Sequence, residues 1–451
     1  PSGLSVFAIP TKRNSPQLSG SRSSEALPES ARPPSLHLPN ETQMTQSIAT
    51  ITLKPGKERA LLRRHPWVYA TGVASASGRP KSGQTVRVQD SKKNFLAWAA
   101  FSPESALRAR CWSFNETDVI DENWIDEKIR LAIAAREPLR SRTNAIRLIF
   151  GEADFLPGLI VDQYNNQIVT QFQSAGVEYW RAEIGKSIVR HTGISEVYDR
   201  SDAATRAREG LPERKEVLEG NEPPEEVEIV EDGIKYGVDV RKGHKTGFYV
   251  DQRDNRLLAR KLAEAFRRKH GRGLRALNCF CYTGGFSLAL KAGGADEVVS
   301  IDSSADALTM AKENAKRNGF DDGSMKWIEA NVFEALRKFR DEGEKFDLVI
   351  LDPPKFASSH HHVEKAARAY KDINLNGLRI LGDDGHLLTF SCSGAIDVDL
   401  FQKIIAGAVI DSKVDAWMIQ RLGAGMDHPL LMTHPEGEYL KGLHLLSRGP
   451  A

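Results

Sequence analysis

Cysteine is scarce in this chain: Cys111, Cys279, Cys281 and Cys392 are the four in 451 residues. Four scattered thiols cannot staple a disulfide scaffold or supply a four-cysteine zinc site, and they fit a reducing, cytoplasmic setting. No stretch approaches the ~20 apolar residues that span a bilayer, so neither a transmembrane protein nor a membrane partner is expected. Charge of one sign is missing too: 62 Lys+Arg face 60 Asp+Glu, a formal net charge of +2. What is present is 40% hydrophobic and 27% charged residues, the balance of a globular chain. At roughly 150 residues per domain this length suggests three domains.

Shifts in composition mark the boundaries. Residues 1–46 read as a disordered tail. The first forty hold nine Ser and seven Pro and no periodic apolar face, too little to offset the entropy of ordering. Sparse Arg and Lys and the lack of an amphipathic helix count against an organelle transit peptide, and Met44 is a candidate start. Residues 47–120 predict a small β domain: Thr50–Leu53, Gln84–Val88 and Phe95–Ala100 alternate or are β-rich between Gly/Pro/Ser turns. Residues 51–115 carry twelve Lys/Arg against three Asp/Glu, with Trp67, Tyr69, Phe95, Trp98 and Trp112 interleaved. Basic plus aromatic on a compact fold suits phosphate contacts and base stacking, so RNA is the expected partner. The plainer reading is a solvated basic face over an aromatic core.

Residues 121–240 predict a central α/β unit. A helix covers 122–140, strands follow at Ala145–Phe150, Gly158–Val161 and Gln167–Phe172, and a helix Val177–His191 precedes a strand Glu196–Asp199. Arg206–Asp232, with ten Asp/Glu and four Lys/Arg, reads as a solvated loop or hairpin. From 241 to 451 strands alternate with helices. The strands Leu274–Cys279, Glu297–Ile301, Met325–Glu329, Phe346–Leu351 and Gly385–Ser391 imply a parallel sheet with right-handed crossovers. The expected fold class is therefore α/β: a Rossmann-like domain with a central α/β domain and a small N-terminal β domain.

Ligands of such sheets bind beyond the carboxyl ends of the strands, so the strand ends carry the functional argument. The first runs into Asn278-Cys279-Phe280-Cys281-Tyr282-Thr283-Gly284-Gly285-Phe286, where two glycines before a helix let backbone N–H groups approach a ligand. The second ends at Asp302, placed for a ribose diol. Either feature alone is equally well explained by a turn and a helix cap. Together they favour a nucleoside-containing cofactor, and the want of a third glycine argues against a dinucleotide. Asn331, at the third strand's end, can meet an adenine edge. The fourth ends in Asp352-Pro353-Pro354-Lys355-Phe356, where the prolines stiffen the turn that presents the Asp352 carboxylate. The fifth ends in Ser391-Cys392-Ser393-Gly394. A buried, inert thiol is the usual fate of cysteine. Here a position beside the Asp352 turn, if strands four and five are neighbours, argues for a nucleophile. Cys279 and Cys281 are expected to be packing residues. The run His360-His361-His362 suggests a metal, but adjacent loop residues rarely converge on one ion, so none is expected.

The order of these motifs resembles that of class I S-adenosylmethionine-dependent methyltransferases. The whole span 51–449 is similar to the RlmI-type large-subunit ribosomal RNA cytosine-5 methyltransferases. The matching blocks are Leu62-Arg63-Arg64-His65-Pro66-Trp67-Val68, Gly243-His244-Lys245-Thr246-Gly247-Phe248-Tyr249, Asp251-Gln252-Arg253-Asp254-Asn255-Arg256, Tyr282–Phe286, Asp352–Phe356, Tyr370–Asn374, Phe390–Gly394, Asp427-His428-Pro429 and Pro435–Gly442. The resemblance implies an N-terminal PUA domain, a C-terminal methyltransferase domain and S-adenosyl-L-methionine as cofactor. It implies cytosine in 23S rRNA, or in a large-subunit precursor, as substrate. It places Gln252 and Arg253 near the methionine end of the cofactor, beside Asn278, Tyr282, Thr283, Gly284, Asp302 and Asn331. Asn331 stands where many class I enzymes carry Asp. A homodimer is one expected assembly.

Carbon 5 of cytosine needs activation before it takes a methyl group. A thiolate adding to carbon 6 turns the ring into an enamine. That attack is assigned to Cys392, with Asp352 hydrogen-bonding the base edge around ring nitrogen 3. Two rivals share the architecture. Purine-nitrogen methyltransferases also use a Pro-Pro turn after Asp or Asn, usually followed by an aromatic where this chain has Lys355, and they need no Cys392. An RNA-binding module without activity would not need Gly284, Asp302, Asp352 and Cys392 together. Lys355 and Lys371 read equally as phosphate contacts or as solvated side chains.

Overall fold

The computed structural model describes residues 48–201, 203–357 and 362–450; the expected tail, and His360 and His361, lie outside them. The N-terminal sheet contains β1 (Thr50–Leu53), β2 (Trp67–Tyr69), β3 (Val73–Ser77), β4 (Thr85–Gln89), β5 (Phe95–Phe101) and β6 (Leu107–Ser113). Their order is β2-β6-β5-β4-β1-β3, and a short helix α1 (Arg59–Leu62) follows β1. Period-two burial drives the sheet: Ile51, Leu53, Val86 and Val88 point inward while their neighbours stay part-exposed. β2, β3 and β6 escape the sequence pattern because β2 is three residues long, β3 is mostly exposed and β6 turns the small Ala109 and Cys111 inward. Trp112 does not serve as a stacking platform. It is 1% exposed and belongs to the core of the next domain, with Ile125, Ile129 and Ile133.

In that domain α2 (Glu122–Ala135) starts at Asp121, whose carboxylate accepts from the Trp124 N–H. β7 (Ala145–Phe150), β8 (Leu159–Tyr164), β9 (Gln167–Phe172), β10 (Val197–Ser201) and β11 (Arg214–Glu219) form a sheet ordered β11-β10-β9-β8-β7. The expected helix over 177–191 is two, α3 (Ala175–Tyr179) and α4 (Arg181–Thr192), broken at Trp180. α5 (Ala203–Ala207) precedes β11. The acidic stretch 206–232 is not simply solvated. β11 pairs antiparallel with β10, and β12 (Val227–Glu231) pairs with β13 (Ile234–Val238) as a hairpin. Arg206, Glu209 and Glu231 are buried. Each has an ionic partner: Glu178 at 2.8 Å, Arg110 at 2.9 Å and Arg256 at 2.6 Å. Charge counts along the chain cannot reveal such pairs, because the partners are distant in sequence.

α6 (Arg253–His270) opens the C-terminal domain. There β14 (Arg275–Cys279), α7 (Gly285–Ala292), β15 (Glu297–Asp302), α8 (Ala305–Arg317), β16 (Met325–Glu329) and α9 (Val332–Asp341) alternate. β17 (Phe346–Leu351), α10 (Val363–Arg379), β18 (Leu381–Ser391), α11 (Val398–Ser412), β19 (Val414–Gly423) and β20 (Lys441–Pro450) complete it. The seven strands are ordered β16-β15-β14-β17-β18-β20-β19, with β20 antiparallel between β18 and β19. Order reverses between β14 and β17, so their carboxyl ends frame a crevice. The hairpin's Ile229, Tyr236 and Val238 share a core with Ala259, Leu288 and Ile350. No helix among the described residues is long and apolar enough to cross a membrane.

Candidate active site

The carboxyl ends of β14, β15, β17 and β18 form a mouth. At β14 the chain turns through Phe280 and Tyr282, both at positive φ, and through Gly284 at φ +84°, into α7. A Cβ on Gly284 would also lie 3.0 Å from Leu288 and Trp327, so the turn requires glycine. Asp302 locks this turn from the next strand: its carboxylate accepts from the Tyr282 N–H at 2.8 Å and the Ser304 N–H at 3.0 Å. Tyr282 stacks on His244 with ring centroids 4.6 Å apart, and its hydroxyl accepts from the His244 N–H. The strand ends therefore bring Tyr282, Thr283, Gly284 and Asp302 together. Asn331 is exposed at the third strand end, and its Oδ1 caps α9 by accepting from the Phe333 N–H at 2.9 Å.

Two expected site residues are tied into the interior. Asn278 is 1% exposed, and its Nδ2 donates to Ser287 Oγ, which ties β14 to α7, while its Oδ1 is buried without a hydrogen-bond partner. Arg253 is fully buried, and its guanidinium is taken up by Asp427 Oδ2 at 2.9 Å, Ala145 O at 2.5 Å and Glu231 at 3.4 Å. It therefore fastens the central domain to the C-terminal one, a role the neighbouring Gln252 does not share.

β17 and β18 pair in parallel, with Leu351 opposite Thr389, so the Asp352 and Cys392 turns are neighbours. The Cys392 thiol donates weakly to Pro353 O at 3.9 Å. Ser393 Oγ accepts from the Ala357 N–H and meets the Tyr370 hydroxyl at 3.0 Å, and the Ser391 hydroxyl donates to the same tyrosine. One buried polar knot thus holds both turns in register. Beneath it Lys441, 4% exposed, donates to Ser393 O at 3.0 Å and Ile396 O at 2.8 Å.

The loop before α6 closes the other side. Thr246 donates to the buried Asp162 at 2.6 Å, anchoring the loop on the central domain. Lys245 pairs with Asp251, and its ammonium sits 4.5 Å from the Tyr249 ring and 5.4 Å from the Tyr439 ring. The Tyr439 hydroxyl donates to Asp251 at 2.6 Å. Burial opposes ionisation of Asp251, but Lys245, His428 and the Tyr439 hydroxyl outweigh it and hold that carboxyl well below its usual range. Asp352 behaves oppositely. Burial and the nearby Asp251 charge push it up to about 7, against Lys245 and a hydrogen bond with Gln252. Gln252 Oε1 is occupied by Asn255 Nδ2 at 2.6 Å, which leaves the Gln252 amide N–H groups for Asp352. Burial and Asp352 push the Cys392 thiol up to about 11, again against Lys245. Cys111, Cys279 and Cys281 are buried, and Cys392 is partly open.

Lys245, Tyr249, Asp251, Tyr439 and Lys441 were not singled out from sequence, although all lie inside the quoted blocks. Their signal is spatial: 188 residues separate Tyr439 from Asp251. Lys355 is exposed, and Lys371 pairs with Asp411 at 2.8 Å. One trio among the described residues has metal-ligand chemistry: His65, His434 and Glu436. His65 Nδ1 accepts from the Trp67 N–H at 3.2 Å, so neutral His65 carries its proton on Nε2 and donates to Glu436 at 3.1 Å. That nitrogen then has no lone pair for an ion.

Residues 205–415 match the family described as S-adenosylmethionine-dependent methyltransferase, and residues 51–114 match the PUA-like domain. Ribosomal RNA large subunit methyltransferase I of Tolumonas auensis is 44% identical over 397 residues, 87% of this chain and 98% of that protein. The chain belongs to the ribosomal RNA large subunit methyltransferase I family. Another member of the family, from Photobacterium profundum, is 45% identical over 396 residues, 87% of this chain and 98% of its own. Among solved structures, a putative SAM-dependent methyltransferase from Streptococcus mutans superposes with a TM-score of 0.74. It covers 89% of this chain and 100% of that one at 21% identity, which is a likeness of fold. A putative methyltransferase complexed with SAH gives a TM-score of 0.75, also at 21% identity.

The cofactor of the family is S-adenosylmethionine, and the mouth fits it. Thr283 Oγ1 is buried without a hydrogen-bond partner, the state of a donor–acceptor group that awaits a ligand. Beside it the Asp302 carboxylate is held in place by two backbone N–H groups.

Proposed function

We propose that this protein methylates carbon 5 of a cytosine in large-subunit (23S) ribosomal RNA through a covalent adduct on Cys392. The observation that carries the reading is the junction of β17 and β18, which sets a thiol and a carboxyl of raised pKa side by side at the mouth. Asp302, Tyr282, Thr283 and Gly284 are assigned to S-adenosylmethionine, which supplies an electrophilic methyl group when bound.

The residues divide the remaining work. Cys392 forms a bond to carbon 6 of the extruded base, and electron density moves onto carbon 5 and the ring around nitrogen 3. Asp352, with a pKa near neutrality, is protonated often enough to donate to nitrogen 3 as that charge develops. After methylation, a base takes the carbon 5 proton, which expels Cys392 as thiolate and restores the aromatic ring. Lys245 and Lys441 supply positive charge near the thiolate that forms at the start and end of the cycle. The N-terminal domain supplies the grip on RNA. Lys57, Arg59, Arg63 and Arg64 are all exposed there, placed for phosphate contacts.

The test is nucleoside mass spectrometry of large-subunit rRNA from cells lacking the gene. One 5-methylcytosine should vanish, return with the wild-type gene and stay absent with Cys392→Ala. Loss of a nitrogen-methylated purine instead would refute the reading.

A further inference from the structure

A cleft of about 210 Å³ lies where the three domains meet, lined among others by Trp67, Phe150, Glu152, His434, Glu436 and Tyr439. It adjoins the mouth through one ring: Tyr439 lines the cleft, and its hydroxyl donates to Asp251. The mechanism uses none of the other five side chains.

The chemistry of the cleft is selective. No lysine or arginine is among its lining residues, so it does not suit a phosphate. Two carboxylates face it, and both are held in place. Glu152 accepts from Trp67 Nε1 at 2.8 Å with Arg110 at 3.6 Å, and Glu436 accepts from His65 at 3.1 Å. The aromatic groups are also fixed: Trp67 meets His434 edge-on at 4.4 Å, and Phe150 lies 6.1 Å from Tyr439. His434 is 5% exposed, and its Nδ1 has no hydrogen-bond partner, although Glu436 lies 3.2 Å away without suitable geometry. Burial keeps this imidazole neutral by lowering its pKa. Apolar walls, fixed acceptors and an unpaired buried nitrogen describe a pocket for a flat, uncharged ring that brings its own N–H donors.

An extruded nucleotide leaves its neighbours without a stacking partner. Resting on the cytosine reading above, we infer that the cleft holds one unstacked base flanking the target in the substrate RNA, and that it prefers a base with an amino group. The carboxylates accept from an exocyclic amine, as carboxylates do from cytosine N4. Uracil has no amino group to offer them. The aromatic walls replace the lost stack. The cleft therefore sets sequence context, while the mouth sets the atom methylated.

The experiment is a steady-state scan with the full-length enzyme and a synthetic rRNA fragment spanning the methylated cytosine. Each of about three nucleotides on either side is made abasic in turn. At one position KM should rise about tenfold, the scale of a lost base stack, with kcat within about twofold. Uridine at that position should raise KM as well, but by less than the abasic site, because it keeps its stack on the aromatic walls. In Glu436→Gln and Phe150→Leu proteins, KM for the unmodified fragment should rise, and the abasic penalty should shrink below about twofold. A flat scan, in an enzyme that methylates the unmodified fragment at carbon 5, overturns the cleft and leaves the earlier reading standing. A full penalty retained in both variants does the same. Methylation at another atom overturns the earlier reading, and this inference falls with it.

Discussion

Lys441 donates to the carbonyl oxygen of Ser393 at 3.0 Å, from a fully walled position beneath the turn that carries Cys392. Lys441 fixes the backbone of the turn, and while protonated it favours the thiolate, although burial lowers its own pKa. Burial and the Asp352 charge drive the Cys392 thiol the other way.

The first expectation concerns this pair. Iodoacetamide should alkylate Cys392 selectively, because the other three cysteines are buried. In Lys441→Met the pH midpoint of that reaction should move up, and Lys441→Arg should restore part of the shift. Mass spectrometry of the labelled peptide against pH checks it. An unmoved midpoint would leave Lys441 with a purely structural role.

Asp352 sets where the acid limb of the rate ends. In the proposed mechanism the reactive form has Cys392 as thiolate and Asp352 protonated. Below pH about 7 Asp352 holds its proton, so kcat/KM should climb about tenfold per pH unit with the thiolate. Between about 7 and about 11 the gain in thiolate is cancelled by loss of the Asp352 proton, and the profile should be level. Asp352→Asn should be slower and should keep climbing past pH 9. A variant profile that levels off where the wild type does would remove Asp352 from the chemistry.

Asp302→Ala should weaken S-adenosylmethionine binding by about 1.5–3 kcal/mol, the range for hydrogen bonds to a charged group. Part of the loss comes from the Tyr282 turn, which Asp302 holds. Calorimetry on the folded variant measures it, and an unchanged affinity would take the ribose role away from this residue.

Arg253→Ala should act on stability instead. It removes one partner from the buried Asp427, which keeps the Arg147 N–H and His428, and a weaker one from Glu231, which keeps Arg256, at a cost of about 1–3 kcal/mol. Denaturant unfolding should show the loss while cofactor affinity in the folded protein stays close to wild type. The reverse pattern would return Arg253 to the cofactor.

Much of the C-terminal sheet was legible because strand periodicity and strand-end chemistry are local. Asp302, Gly284, Asp352 and Cys392 announce themselves at the ends of apolar runs, and pairing of β17 with β18 was the one spatial assumption needed. α6 was not read from the sequence: its apolar stripe, Leu258, Ala259, Leu262, Ala263 and Phe266, sits among many charges, and its first turn buries Arg253, Asn255 and Arg256 instead. Arg253 was misplaced for a related reason: proximity in sequence to Gln252 says nothing about Asp427, 174 residues away. Lys441 and Tyr439 belong to the site only because β20 inserts beside β18, and an antiparallel insertion of that kind leaves no mark on a βα pattern.

The covalent step is tested most directly by substrate RNA carrying 5-fluorocytosine at the target. Fluorine cannot leave carbon 5 as a proton does, so elimination of Cys392 is blocked after methyl transfer. The enzyme should form an adduct that survives denaturing electrophoresis, requires S-adenosylmethionine and maps to Cys392, and Cys392→Ala should form none. Full turnover of native rRNA by Cys392→Ala, with no trapped species in the wild type, would contradict the account.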